Sequence, residues 1–226
     1  SGIIVPIAMT SYGQLLERFP YWPALKHSGL LIAPARLAEH FPDEPAPLPS
    51  LTREHLRRAL TRLAAREASE GPDARAQSNE ARDALLDTLL HEVLELPASE
   101  WLRGNAVPPR FTLRALTGES LRPRRLFLDE ASGAALPLFL CDDARLGVGH
   151  GRRSVAQVIE WLRRADLPQG PAAARVALLS NGAQLRLIHA GPDHDASCEW
   201  DTALFFSEDA PGPQVAGLRA LPVALG

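Results

Sequence analysis

Val176–Ala190 reads VALLSNGAQLRLIHA, two short apolar runs joined through Asn181-Gly182. Asn and Gly both tolerate the positive φ that a type I′ turn needs, so this stretch predicts a β-hairpin. Its place in the chain matters more than its existence. Directly before it, Ser154–Arg164 carries Val155, Val158, Ile159 and Leu162 at i, i+3, i+4 and i+7, a helix with Ser154 as its N-cap. Before that stand two strand-like runs, Arg125–Asp129 and Ala134–Cys141, with Glu130–Gly133 (EASG) as a tight connection. Arg110–Leu116 alternates with period two and predicts a third strand.

Further upstream, Asn79 is placed to cap a long helix over Glu80–Leu96, with Leu85, Leu86, Leu89, Leu90, Val93 and Leu94 as a wide apolar stripe. The order from residue 79 is helix, three strands, helix, two strands. The three strands suit an antiparallel meander, and the second helix suits a crossover to a further strand. The expected fold class is therefore α/β (α+β): a sandwich with a central mixed sheet flanked by helices. Ser197–Phe206 offers one more strand and Gln214–Leu221 a closing helix.

The first third reads differently. Tyr12–Phe19 and Pro34–His40 are short helical candidates, and the proline-rich Phe41–Pro49 (FPDEPAPLP) should be extended. Ser50 is placed as the cap of a helix over Leu51–Ala68, with Leu56, Leu60 and Leu63 on one face. Ser69–Ser78 is polar and contains Gly71-Pro72, which marks a boundary. The expected organisation is a small helical N-terminal annex over 1–75 and an α/β domain over 76–226. Met9 is the only methionine and is read as a native start, with Ser1–Ala8 vector-derived.

Composition sets the outer limits. The chain has 226 residues, 46% apolar and 23% charged, with a net charge of −3, so attraction to nucleic acid or a membrane would have to come from local patches. The two cysteines, Cys141 and Cys198, form no CxxC and no zinc spacing, and read as reduced thiols of a cytoplasmic protein. No apolar run reaches the ~18 residues of a membrane span. GxSxG, HExxH and SxxK are all absent.

Helix–strands–helix–strands is the skeleton of metal-dependent nucleases, which need two or three carboxylates around a hard cation and usually one lysine. The usual pattern is an Asp at the start of one strand and an acid-x-Lys at the end of the next. Here the first position is Arg124, after Pro123, and the second reads Cys141-Asp142-Asp143 with no lysine. Lys26 is the only lysine and lies in the annex, while Arg145 cannot deprotonate to act as a base. One reading is a remnant Mg²⁺ site of Asp129, Asp142 and Asp143, with Glu80 from the preceding helix. The other is that these are strand-end and turn aspartates capping exposed backbone.

Leu146–Gly151 (LGVGHG), followed by Arg152-Arg153, has the form of a phosphate-cradling loop before a helix, without the residues of a P-loop or a dinucleotide fold. Arg103, Arg110, Arg114, Arg122, Arg124 and Arg125 carry only Glu119 in opposition, which suits phosphate contact or a solvated basic face. His194 and Cys198 supply two ligands at most, too few for a zinc site.

These segments resemble the N-terminal region of large bacterial type IIG-like restriction–modification methylases, including the methylase of class 1 DISARM phage-defence systems. The likeness lies in LLSNGAQLRL (Leu178–Leu187) against the family's LLTNGRQWRL hairpin, and in Asn79–Ala81 against its NEA helix start. It covers roughly 79–210. The resemblance implies a restriction-endonuclease-like domain of the PD-(D/E)xK class preceded by a helical segment. Against that pattern, Pro123-Arg124 stands at the PD position, and Leu185 stands for the hairpin tryptophan. No glycine-rich methyl-donor loop and no Asn-Pro-Pro-Tyr is present, so this stretch of chain carries no methyltransferase motif.

Three functional expectations follow. The first is a non-cleaving restriction-endonuclease-like module that engages DNA through Arg122, Arg124, Arg125, Arg152 and Arg153, or docks against a methyltransferase domain or other defence-system proteins. The second is an active Mg²⁺-dependent DNA nuclease with a shifted site at Asp129, Asp142 and Asp143. The third is a protein–protein scaffold with no DNA role, marked by its arginines being paired to acids.

Overall fold

A computed structural model of the protein describes residues 25–29, 31–32, 34–40, 47–129, 131–165, 167, 170–171, 174–207 and 210–211. The expectations for Tyr12–Phe19, for most of Phe41–Pro49 and for Gln214–Leu221 lie outside the described residues.

The strands, in chain order, are β1 (Lys26–Ser28), β2 (Trp101–Arg103), β3 (Leu113–Arg114), β4 (Ser120–Leu121), β5 (Arg125–Asp129), β6 (Ala134–Leu140), β7 (Val176–Ser180), β8 (Gln184–Ala190), β9 (Asp195–Asp201), β10 (Phe206–Ser207) and β11 (Ala210–Pro211). The α-helices are α1 (Pro34–His40), α2 (Ser50–Glu67), α3 (Ala74–Asp87) and α4 (Gly151–Ala165). Seven strands form one mixed sheet in the order β1-β9-β8-β7-β6-β5-β2. All neighbours are antiparallel except β6 and β7, which run parallel over Leu138–Leu140 and Leu178–Ser180. Parallel neighbours cannot be joined by a tight turn. Between these two strands the chain makes the expected crossover, through α4. Pro137, which has no N–H to give to a ladder, lies just before the parallel pairing begins.

Alternation along the strands gives the sheet two apolar faces. On one, Leu136, Leu138, Leu178, Leu185, Leu187 and Trp200 pack against Leu56 and Leu63 of α2, Leu85 and Leu86 of α3, and Leu37 of α1. On the other, Leu126, Phe139, Ala177, Leu179 and Ile188 pack against Val158, Trp161 and Leu162 of α4. Trp161 meets Phe139 edge-on at 5.5 Å and donates its indole N–H to the Phe111 carbonyl at 2.9 Å. Residue 75, the expected boundary, lies in the first turn of α3, and side chains from both sides of it share the first core.

Several local expectations are corrected. Asn79 and Ser154 lie inside their helices rather than capping them: α3 begins at Ala74, and α4 at Gly151. The Ser50 hydroxyl makes no capping bond, and Pro49 precedes α2. The apolar stripe of the long helix is buried as expected, but after Asp87 the backbone widens to a π turn over Thr88–Val93. That widening keeps Leu89, Leu90 and Val93 all on the core face. Arg110–Leu116 is not the third meander strand. Its proline-led start forms a 3₁₀ turn, and only Leu113–Arg114 is extended, pairing with β4. The third strand is β2, opened by the buried Trp101.

The hairpin forms, with Ser180 opposite Leu185. Its turn is not type I′. Positive φ is confined to Gly182, at +93°, the placement of a type II′ turn. Asn181 serves instead through its side chain. Its Oδ1 accepts from the N–H groups of Ala183 (3.0 Å) and Gln184 (2.7 Å), and its Nδ2 donates to the Asp143 carbonyl at 2.9 Å. Gln184 adds a bond from the Leu146 N–H at 2.9 Å. The hairpin tip thus clamps the loop that leads into α4.

Beneath that loop, Arg186 of β8 and Glu199 of β9 stand directly opposite one another and form a buried ion pair, Nε to Oε2 2.6 Å. Arg186 also donates to the Leu146 carbonyl at 3.2 Å. Gly147 has φ +70°, and a Cβ there would sit 2.7 Å from the guanidinium, so a side chain would be strained and would push Arg186 from its place.

Removing one member of a buried pair strands the other charge. Glu199→Ala is expected to lower stability by about 3–5 kcal/mol, and the double change Arg186→Met/Glu199→Leu to restore most of it, as read by urea unfolding. Burial, reinforced by the neighbouring Glu199 charge, pushes the Cys198 thiol up to about 12. A thiol in an unfolded chain ionises near about 8.5. Stability should therefore hold below that pH and fall as pH rises from there toward 12. A Cys198→Ala variant should lose that slope in alkaline unfolding titrations.

Candidate functional site

Because β5 and β6 form an antiparallel hairpin, the start of β5 lies beside the end of β6, with Arg125 opposite Leu138. A nuclease of this skeleton would place its acids there. This chain places Arg124 and Arg125 at one strand end and Cys141-Asp142-Asp143 beyond the other, with α3 lying across them.

Leu126 faces the α4 layer, so alternation turns Arg125 toward α3. Its side chain is only 2% exposed. One guanidinium nitrogen donates to Asp87 Oδ1 at 2.7 Å, and the other to Asp83 at 3.3 Å and to the Asp83 carbonyl at 3.0 Å. Asp83 and Asp87 lie one helical turn apart, which lets one guanidinium reach both. Arg124 reaches Asp83 at 3.2 Å, and Arg103 of β2 reaches Asp87 at 2.8 Å. Beside this cluster, Asp142 accepts from Arg82 at 2.8 Å and Arg75 at 2.9 Å, both from α3. Arg82 also pairs with Glu67 of α2 at 3.3 Å. Glu80 pairs with Arg62 at 2.7 Å.

Asp129, Asp142 and Asp143 do not converge. Asp129 sits at the turn end of the hairpin, where it accepts from the Ala131 N–H (3.1 Å) and the Ser132 hydroxyl (2.6 Å). Those bonds, the hydroxyl first, hold its carboxyl below the usual carboxylate range. The length of β6 separates it from Asp142, roughly 20 Å at strand rise. Asp143 accepts from the Ser154 hydroxyl. Oxygens at ~2.0–2.6 Å from one ion are the requirement for Mg²⁺ or Ca²⁺. Among the described residues no group of three His, Cys, Asp or Glu is placed to hold a metal ion. The residues do not fit the cation, because Asp142 already faces two guanidinium groups that would repel it.

The expected DNA-contacting arginines are mostly committed. Arg122 donates to the carbonyls of Val107 (2.6 Å) and Gly104 (3.1 Å), and Arg153 pairs with Glu119. Arg152 is exposed at the start of α4. Cys198 is buried, and the His194 ring lies beside His189 at 5.4 Å, so His194 and Cys198 make no site. Asp83, Asp87 and the Arg186–Glu199 pair were missed. Their signal was present: an i, i+4 acid pair flanking a leucine stripe, and charges at alternating inward positions of two strands.

Arg125→Ala is expected to lower stability by about 2–3 kcal/mol, since it removes the buried guanidinium that bridges Asp83 and Asp87 and leaves each carboxylate with a single, more exposed arginine. Asp142→Asn, in a half-exposed pair, should cost no more than about 1 kcal/mol. Parallel denaturant titrations of the two variants check the contrast.

Comparison with protein-family models, curated proteins and solved structures returns no match to this chain.

Proposed function

We propose that this chain is a restriction-endonuclease-like module that has exchanged metal chemistry for structural ion pairs, and that it docks within a larger assembly of the restriction–modification or phage-defence type. The order α3–β2–β5–β6–α4–β7, with β7 parallel to β6, supports the nuclease-like ancestry, alongside the LLSNGAQLRL hairpin. The observation that carries the non-cleaving reading is the arginine pair at the start of β5: Arg124, where the first acid of a nuclease would stand, pairs with Asp83, and the buried Arg125 beside it is held by Asp83 and Asp87. Arginine stays charged at every accessible pH, so it neither binds a cation nor activates water.

Docking is favoured over DNA engagement by the same accounting of partners. Of the arginines expected on DNA, Arg122, Arg124, Arg125 and Arg153 are each bound to carbonyl or carboxylate oxygens of the chain itself. Phosphate binding would require breaking those bonds before forming new ones. The resemblance suggests a methyltransferase domain or another defence-system protein as the partner.

Supercoiled and linear DNA incubated with Mg²⁺ or Mn²⁺ should remain intact, and a labelled duplex should show no retention at physiological salt. Cleavage abolished by Asp142→Ala, or duplex binding that falls steeply with salt and is lost on changing Arg152 and Arg153 to Glu, would overturn the reading.

A further inference from the structure

On the α4 face, the segment between β2 and β5 lies against the end of α4. Between them runs an open groove of about 540 Å³ lined by Arg110, Leu113, Arg114, Arg164, Leu167 and Pro171. Its charge is uneven. Arg164 pairs with Glu160 at 3.0 Å and donates to the Arg114 carbonyl at 2.6 Å. Arg110 lies 4.9 Å from the Phe111 ring centroid, and Arg114 donates its Nε–H to the Gly118 carbonyl at 3.2 Å. Neither of these two guanidinium groups meets a carboxylate among the described residues.

Exposed leucines lie in and beside the groove. Leu167 is 58% exposed, and Leu116, two residues beyond Arg114, is 86% exposed. The backbone N–H of Leu116 donates to Glu160 of α4 at 2.8 Å, which ties this turn to the helix. Large exposed leucines beside guanidinium groups that meet no carboxylate among the described residues form the usual anatomy of an interface, with apolar anchors and arginine together.

We infer that this groove docks an acidic, leucine-bearing segment of a partner protein. Carboxylates of that segment would take bidentate bonds from Arg110 and Arg114, while its apolar side chains cover Leu113, Leu116 and Leu167. Nucleic acid fits less well, since a phosphate backbone would satisfy the arginines and leave the leucines in water. The inference rests on the docking role proposed above and assigns it a face.

A fluorescein-labelled peptide of about twelve residues, with leucines repeating every three or four positions, glutamates between them and length for ~three helical turns, serves as the probe in anisotropy titrations. It should bind the wild-type chain. Arg110→Glu/Arg114→Glu should weaken binding at least about tenfold, as should Leu116→Asp. Both variants alter exposed side chains that pair with no acid, and unchanged thermal melting will show that they fold. Replacing the peptide's glutamates by glutamine should weaken binding as well. No binding up to about 1 mM peptide, or equal binding by the double variant, overturns the inference. The proposed docking role would then still stand on its own nuclease and duplex assays. A labelled DNA duplex that binds the wild type and is lost with the same double substitution overturns both.

Discussion

One parallel pairing organises the whole molecule. β6 and β7 are the only parallel neighbours in the sheet, and parallel strands cannot be joined without a crossover. The crossover supplies α4, α4 supplies the second layer, and the sheet becomes buried on both faces. The same pairing brings the ends of β6 and β7 together. That is why the Asp142-Asp143 loop, the hairpin tip and the start of α4 meet in one place. Open α/β sheets commonly use such a point for ligands. Here the chain's own hydrogen bonds tie the loop to the hairpin tip.

The site beside it is built on arginine–carboxylate pairs. Where a metal-dependent nuclease would gather acids on the strands around a cation, this chain gathers arginines on the strands and acids on the helix. A guanidinium is a cation that cannot leave. It holds α3 to the sheet without a dissociable ion, and its planar fork reaches two carboxylates at once. The proposed docking function is compatible with this arrangement, because a docking module needs rigidity and has no use for an open coordination position. Two guanidinium groups that meet no carboxylate among the described residues, Arg110 and Arg114, lie elsewhere, near Leu116 and Leu167.

Periodicity made most of the scaffold legible. The hairpin, the β5–β6 pair, α4 and the long leucine stripe could all be read because each buries one face at a fixed repeat. Capping was misread wherever a plausible cap lay within a helix. Ser154 and Asn79 look like caps locally, but tertiary packing extends α4 and α3 past them. The edge strand β2 was hidden because three residues are too few for a pattern, and only Trp101 marked it. The Asn181 role was obscured for a different reason: an Asn-Gly pair predicts backbone angles, whereas this Asn acts through its carboxamide on a loop far away in sequence. Pairings such as Arg125 with Asp83 and Asp87 cannot be read from spacing at all, because they join elements about forty positions apart.

Of the chain's lysines and arginines, all but one are arginine. Lys26, on the exposed edge strand β1, is the chain's single side-chain primary amine. Amine-directed chemistry, whether a coupling reagent, an acetyl donor or a biotin tag, has one side-chain address, and it lies at the rim of the sheet. Attached to a support through that residue, the molecule would present both helical layers in native chemical form, each bearing positive charge that no acylating reagent can erase.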